Sequence, residues 1–91
     1  MKIRWSPEAA DDLERIFRRI HQDSPAAARH VARTIYERVA MLKEFPMRGR
    51  IGRIEGSREL VLTPLPYIAV YRVSQQAIEI ARLYHGAQDW P

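Results

Sequence analysis

Two strand-like runs, Tyr67 to Ser74 and Ala77 to Leu83, flank Gln75-Gln76, a loop short enough for a tight hairpin. If those glutamines form a two-residue turn, the register is set. Arg72 then lies opposite Glu79, Val73 opposite Ile78 and Tyr71 opposite Ile80, so opposite charges and apolar pairs meet. A third run, Arg58 to Leu62, precedes the hairpin and is closed by Pro64 and Pro66, so Arg58–Leu83 reads as three strands of one antiparallel sheet. Period-two parity places Ala69, Tyr71, Val73, Ile78 and Ile80 on one face, and Ile68, Val70, Ala81 and Leu83 on the other. A sheet with one wet face alternates apolar and polar residues. This one is apolar on both sides, so each face needs a cover.

The chain upstream supplies one cover. Ser6-Pro7-Glu8 is a helix start, with a serine cap, proline at the first helical position and acids near the positive dipole end. Ala9, Leu13, Ile16, Phe17 and Ile20 follow as one helical stripe, with Asp11, Asp12 and Glu14 expected on its solvated side. Ser24-Pro25 repeats the start, and Ala28, Val31, Ala32, Ile35, Val39 and Leu42 form a second stripe. This helix is expected to run to about Glu44, because Phe45 precedes Pro46. A break near Asp23 makes the pair an antiparallel helical hairpin. Lys2 to Trp5 is short enough to be either a lead-in or an N-terminal strand. The expected fold is α+β: one domain over residues 1–91, with an N-terminal strand and a helical hairpin packed on a three- to four-stranded antiparallel sheet.

Composition narrows the chemistry. There is no cysteine, which excludes disulfides and thiolate metal sites. No apolar leader and no run long enough to span a bilayer is seen, so a cytoplasmic location with no membrane contact is expected. Net charge is +4, and 13 of the 15 basic residues are arginine, the side chain suited to bidentate contact with carboxylates or phosphates. Arg48, Arg50 and Arg53 fall in the glycine-broken stretch PMRGRIGRIEG, read as a loop, and Arg58 follows it. The glycine spacing matches no nucleotide-binding fingerprint, so no cofactor is expected. His21 and His30 have no acidic partner at metal-ligand spacing, so no metal is expected either. His85 follows the last strand beside Tyr84 and near Arg82, and such a trio suits proton transfer and charge stabilisation, although a backbone-satisfying histidine is the commoner case. Trp90 is either a plug on the core or an exposed anchor.

Several of these residues together resemble bacterial RelE/ParE-type toxins. They are Trp5, Ala9 to Leu13, Pro46 with GRIGR, Arg58-Glu59-Leu60, Tyr67 to Val73, and the ending His85 to Pro91. The resemblance spans nearly the whole chain and implies two helices against an antiparallel sheet. It also implies one of two activities: ribosome-dependent cleavage of messenger RNA, as in the RelE and YoeB branch, or inhibition of DNA gyrase by binding, as in the ParE branch. The RelE kind carries lysines in the strand that Arg58–Leu62 resembles and an arginine after the tyrosine that Tyr67 resembles. Here Glu59, Val61 and Ile68 stand there, which removes cations from a scissile phosphate. The ParE branch is therefore expected, without a catalytic residue, and a nuclease would have to use Arg58, Arg82, Tyr84 and His85. A non-toxic nucleic-acid-binding or protein-interaction module is the third reading. The resemblance further implies a ParD-like cognate antitoxin encoded next door, gyrase as target, and a homodimer or toxin–antitoxin heterotetramer. Contacts with target or antitoxin are expected at Arg48, Arg50, Arg53, Arg58, Ile68, Val70, Leu83 and Trp90.

Overall fold

A computed structural model describes residues 1–88. In chain order the elements are β1 (Lys2–Trp5), α1 (Pro7–Asp23), α2 (Pro25–Ala40), β2 (Arg50–Ile51), β3 (Arg58–Val61), β4 (Tyr67–Val73) and β5 (Ala77–His85). They form one sheet in the order β1-β5-β4-β3-β2, with the helical hairpin packed on one face.

Both serine starts work as caps. Ser6 Oγ accepts from the Ala9 N–H at 3.0 Å, and Ser24 Oγ accepts from the Ala27 N–H at 3.1 Å. Ser24 also ends α1 by donating its N–H to the Ile20 carbonyl at 2.9 Å. One residue thus closes the first helix and opens the second, and the hairpin needs no further linker. α2 ends at Ala40 and tightens into a 3₁₀ turn over Met41–Lys43, one residue short of the expected Glu44.

The hairpin register is the expected one, with Tyr71 opposite Ile80, Arg72 opposite Glu79 and Val73 opposite Ile78. The helical stripes cover that face: Leu13, Ile16, Ile35, Val39 and Leu42 share a buried cluster with Tyr71, Ile78 and Ile80. Four features differ from the sequence reading. The sheet has five strands, because Arg50–Ile51 pairs with Arg58 and Glu59; a two-residue strand is too short to show alternation. It is mixed, because β1 runs parallel to β5. β5 continues to His85, so that histidine belongs to the strand. Finally, the ladder slips between Val70 and Tyr71: Val70 faces Arg82 while Tyr71 faces Ile80, which leaves Ala81 as an extra residue.

That bulge reverses the parity of everything after it. Leu83, expected beside Ile68 and Val70, pairs with Ala69 and joins the core beneath the helices. The bulge sits where β5 loses its neighbour, since the last pair with β1 is Trp5 and Ile80. α1 then satisfies the bared strand edge: Ser6 Oγ donates to the Ala81 carbonyl at 2.8 Å, and Asp12 Oδ2 accepts from the Leu83 N–H at 2.9 Å. Asp12 also receives Arg82 Nε at 2.8 Å and is only 3% exposed, so it is not on the solvated side of α1. It stands one turn from both Ala9 and Ile16, within the apolar stripe, and that placement was the available signal.

Candidate functional site

The glycine- and arginine-rich segment between the 3₁₀ turn and β3 is a built structure. Tyr71, fully buried on β4, donates its hydroxyl to the Pro46 carbonyl and accepts the Gly49 N–H, both at 2.8 Å. Burial pushes the Tyr71 phenol up, so it stays a neutral donor. Gly49 has to be glycine here, since a Cβ would come within 2.7 Å of the Tyr71 ring. Arg58 adds a second clamp, with Nη1 donating to the Gly49 carbonyl at 2.7 Å and to the Met47 carbonyl at 3.3 Å. Farther along, the Gly52 N–H donates to the Ser57 carbonyl at 2.9 Å, and Ser57 Oγ donates to the Ile54 carbonyl at 2.6 Å.

Glu59 is the third clamp. Its carboxylate is 2% exposed, and Oε1 receives Arg50 Nη2 at 2.9 Å and Nε at 3.2 Å, while Oε2 receives the Arg53 N–H at 3.1 Å. Burial alone would push the carboxyl up, but the Arg53 N–H and the Arg50 guanidinium, with the Tyr84 hydroxyl behind them, hold it below the ordinary glutamate value. Bonding to Glu59 raises Arg50, and burial followed by the Glu59 charge raises Tyr84. Glu59 is therefore an anion that organises the loop from beneath.

What the clamps hold up is a surface of apolar and basic side chains. Phe45, Met47 and Ile51 are 53%, 59% and 82% exposed, and Arg48, Arg50 and Arg53 are exposed between and beside them. Phe45, Pro46, Met47 and Arg48 line a shallow depression together with Glu44. Rigid aromatic, methionine and arginine side chains are the usual anchors of a protein–protein contact, and a pre-ordered loop avoids the entropy of ordering on binding. The segment looks like a plain loop in sequence because its order comes from Tyr71, Arg58 and Glu59, which lie up to 25 residues away.

Of the residues a nuclease would need, Arg82, Tyr84 and His85 line one cleft between α1 and β5, Arg58 does not, and each of the four has partners of its own. Arg58 is turned into the loop carbonyls. Arg82 is on Asp12, which raises the guanidinium further. Tyr84 is buried with Ile68 and Val70 on the sheet face away from the helices. His85 faces the edge of Tyr67 at 5.5 Å, and its Nδ1 accepts the Ala87 N–H at 3.0 Å. With Nδ1 accepting, a neutral ring carries its hydrogen on Nε2. Ile68 and Val70 do lie on the second face, but at 7% and 3% exposure they are buried within the chain and offer no open anchor. Trp90 lies outside the described residues.

Known proteins converge on one answer. Residues 3–90 match the family described as the ParE toxin of the type II toxin–antitoxin system parDE. The Sinorhizobium fredii protein Y4kP, provisionally named a toxin, is 43% identical over 90 residues, covering 99% of this chain and 93% of its own. Toxin RelE2 of Caulobacter vibrioides is 36% identical over 87 residues, covering 96% and 97%. Among solved structures, a chain of the chromosomal ParDE system of P. aeruginosa superposes with a TM-score of 0.85 at 30% identity, covering 93% of this chain and 95% of that one. A YoeB/ParE toxin from Agrobacterium tumefaciens shares the fold, with a TM-score of 0.65 at 22% identity and coverage of 93% and 98%.

Proposed function

Because the chain belongs to the ParE toxin family of type II toxin–antitoxin systems, we propose that it arrests growth by binding DNA gyrase through its clamped loop, with no catalytic step of its own. One observation carries this reading: the buried Glu59, in the strand where the resemblance implies lysines for the nuclease branch, engages Arg50, which would otherwise be available to a scissile phosphate. RNA cleavage through the 2′-hydroxyl needs a base, an acid and converging cations. Arg58, Arg82, Tyr84 and His85 are each engaged elsewhere. A binding poison needs none of that convergence. It needs a stable presenting surface, and Phe45, Met47, Arg48 and Ile51 supply one.

The same surface is assigned to the antitoxin, a partner supported by the ParDE system of the P. aeruginosa neighbour. An antitoxin segment with apolar anchors for Phe45, Met47 and Ile51 and acids for Arg48 would cover the loop and exclude the target. Neutralisation by occlusion follows.

Purified protein added to a gyrase supercoiling reaction tests the reading. Inhibition is expected from the wild type and from His85→Gln, since glutamine keeps hydrogen bonding but loses imidazole chemistry. Arg48→Glu combined with Met47→Ser is expected to abolish inhibition and antitoxin capture together while the fold is retained. Reversal at Arg50 or Arg58 is a poorer probe, because each braces the loop. Unimpaired supercoiling in the presence of folded wild-type protein would refute gyrase as the target.

A further inference from the structure

A second basic feature lies away from the loop. An open cleft of about 600 Å³ separates α1 from the end of β5, with Arg15, Arg18, Arg19 and Arg82 on its walls and Tyr67 and His85 among its lining. Its charge balance is positive. Arg15 and Arg82 share the carboxylate of Asp12, and Arg18 pairs with Glu14, so among the described residues four guanidiniums face two carboxylates. Glu8 adds only the smallest of the influences on Arg82. Arg19 takes part in no ion pair among the described residues and is exposed. Gln22 and Gln88 contribute further hydrogen-bonding groups.

The cleft lacks what a protein segment would need. Among the described residues, none of the exposed large apolar side chains, which include Tyr36, Phe45, Met47 and Ile51, lines it. Protein interfaces draw most of their affinity from buried aromatic and aliphatic anchors, whereas a phosphodiester backbone is held by cations and donors alone. A single strand would also want open aromatic faces for its bases. Of the three rings among its described lining, Tyr67 and His85 are packed edge to face against each other at an interplanar angle of 83°, and Tyr84 is buried at 4% exposure. Arg15 and Arg19 are four residues apart on α1, about 6 Å along its axis, so they present a short row of cations to a continuous backbone.

We propose that the α1–β5 cleft seats the sugar–phosphate backbone of duplex DNA, with Arg18 and Arg19 as its main phosphate contacts. The contact is independent of base sequence. It stands apart from the gyrase reading, although a poison of a DNA-bound enzyme would gain from touching both enzyme and DNA at once.

The test is fluorescence anisotropy of the full chain with a short labelled duplex over a range of salt. Arg18→Gln/Arg19→Gln is expected to weaken binding about tenfold and to lower the slope of log affinity against log salt by about two, the loss of two neutralised phosphates. Arg29→Gln/Arg33→Gln removes the same charge from the exposed side of α2 and is expected to stay within about twofold. Circular dichroism checks folding. Should the first pair not fold, Arg19→Gln alone, which breaks no ion pair among the described residues, is expected to lower the slope by about one. Equal losses from both arginine pairs would overturn the proposal, as would absence of duplex binding at low salt. Tighter, equally Arg19-sensitive binding of single-stranded RNA or of an acidic peptide would overturn it too.

Discussion

Glu59 and Arg50 face each other across the β2–β3 pair, with Arg50 Nη2 2.9 Å from Glu59 Oε1. A carboxylate at that place in the sheet changes what the chain can do. It takes up the guanidinium nearest it, draws in the Arg53 N–H, and fixes the loop that carries both. The acid that weakens a nuclease reading is thus the acid that orders a binding surface.

The Glu59 carboxyl is held below the ordinary value of 4.5, which fixes a sign for its pH dependence. Its stabilisation is complete above that ordinary value and is lost as pH falls through the lower value of the folded state. Urea unfolding at neutral pH and at steps below pH 4.5 should therefore show a steeper acid loss in the wild type than in Glu59→Gln. Parallel acid limbs would mean that the carboxylate has no net favourable contacts.

Tyr71→Phe removes the hydroxyl that joins the Pro46 carbonyl and the Gly49 N–H. The expected loss is about 1–3 kcal/mol, because the Gly49 donor is left buried and unpaired. Amide exchange at Gly49 should accelerate while exchange in α1 is unchanged near neutral pH. Toxicity should fall with loop order, although no exposed residue has been altered.

Truncation of Leu83 distinguishes the observed ladder from simple alternation. Leu83→Ala and Ile80→Ala should each cost about 2–5 kcal/mol, as core positions do. Val61, which is 47% exposed, should tolerate alanine with a change under about 0.5 kcal/mol. A Leu83→Ala loss as small as that of Val61 would return the residue to an open face.

Asp12 should outweigh its surface neighbours. Asp12→Ala strands the Leu83 N–H and removes the carboxylate that Arg82 bonds, for an expected loss of about 2–3 kcal/mol. Arg15→Ala removes a partner whose side chain is 64% exposed, and under about 1 kcal/mol is expected. Thermal unfolding of the two variants side by side checks the contrast.

Much of the fold was legible because it rests on local signals. The Ser-Pro starts, the two apolar stripes and the Gln75-Gln76 turn each lie within a few residues of what they determine. The faces were read correctly up to Ile80 and wrongly after it, since a one-residue bulge at Ala81 leaves no mark on composition but inverts every later side chain. Asp12 was misplaced because an acid in the first turns of a helix is usually solvated, and its partners, Arg82 and the Leu83 N–H, lie 70 and 71 residues away. The loop clamps were invisible for the same reason. Arg48, Arg50, Arg53 and Arg58 were recognised as a group, but only the structure separates Arg50 and Arg58, which brace the loop, from Arg48, which faces outward.

Induction of the toxin alone in bacteria, with plasmid topology and messenger RNA integrity followed together from the first minutes, tests the central claim most directly. Loss of negative supercoiling and a DNA-damage response are expected while transcripts stay intact, with His85→Gln indistinguishable from the wild type. Rapid ribosome-dependent transcript cleavage at normal supercoiling, abolished by His85→Gln, would contradict that claim.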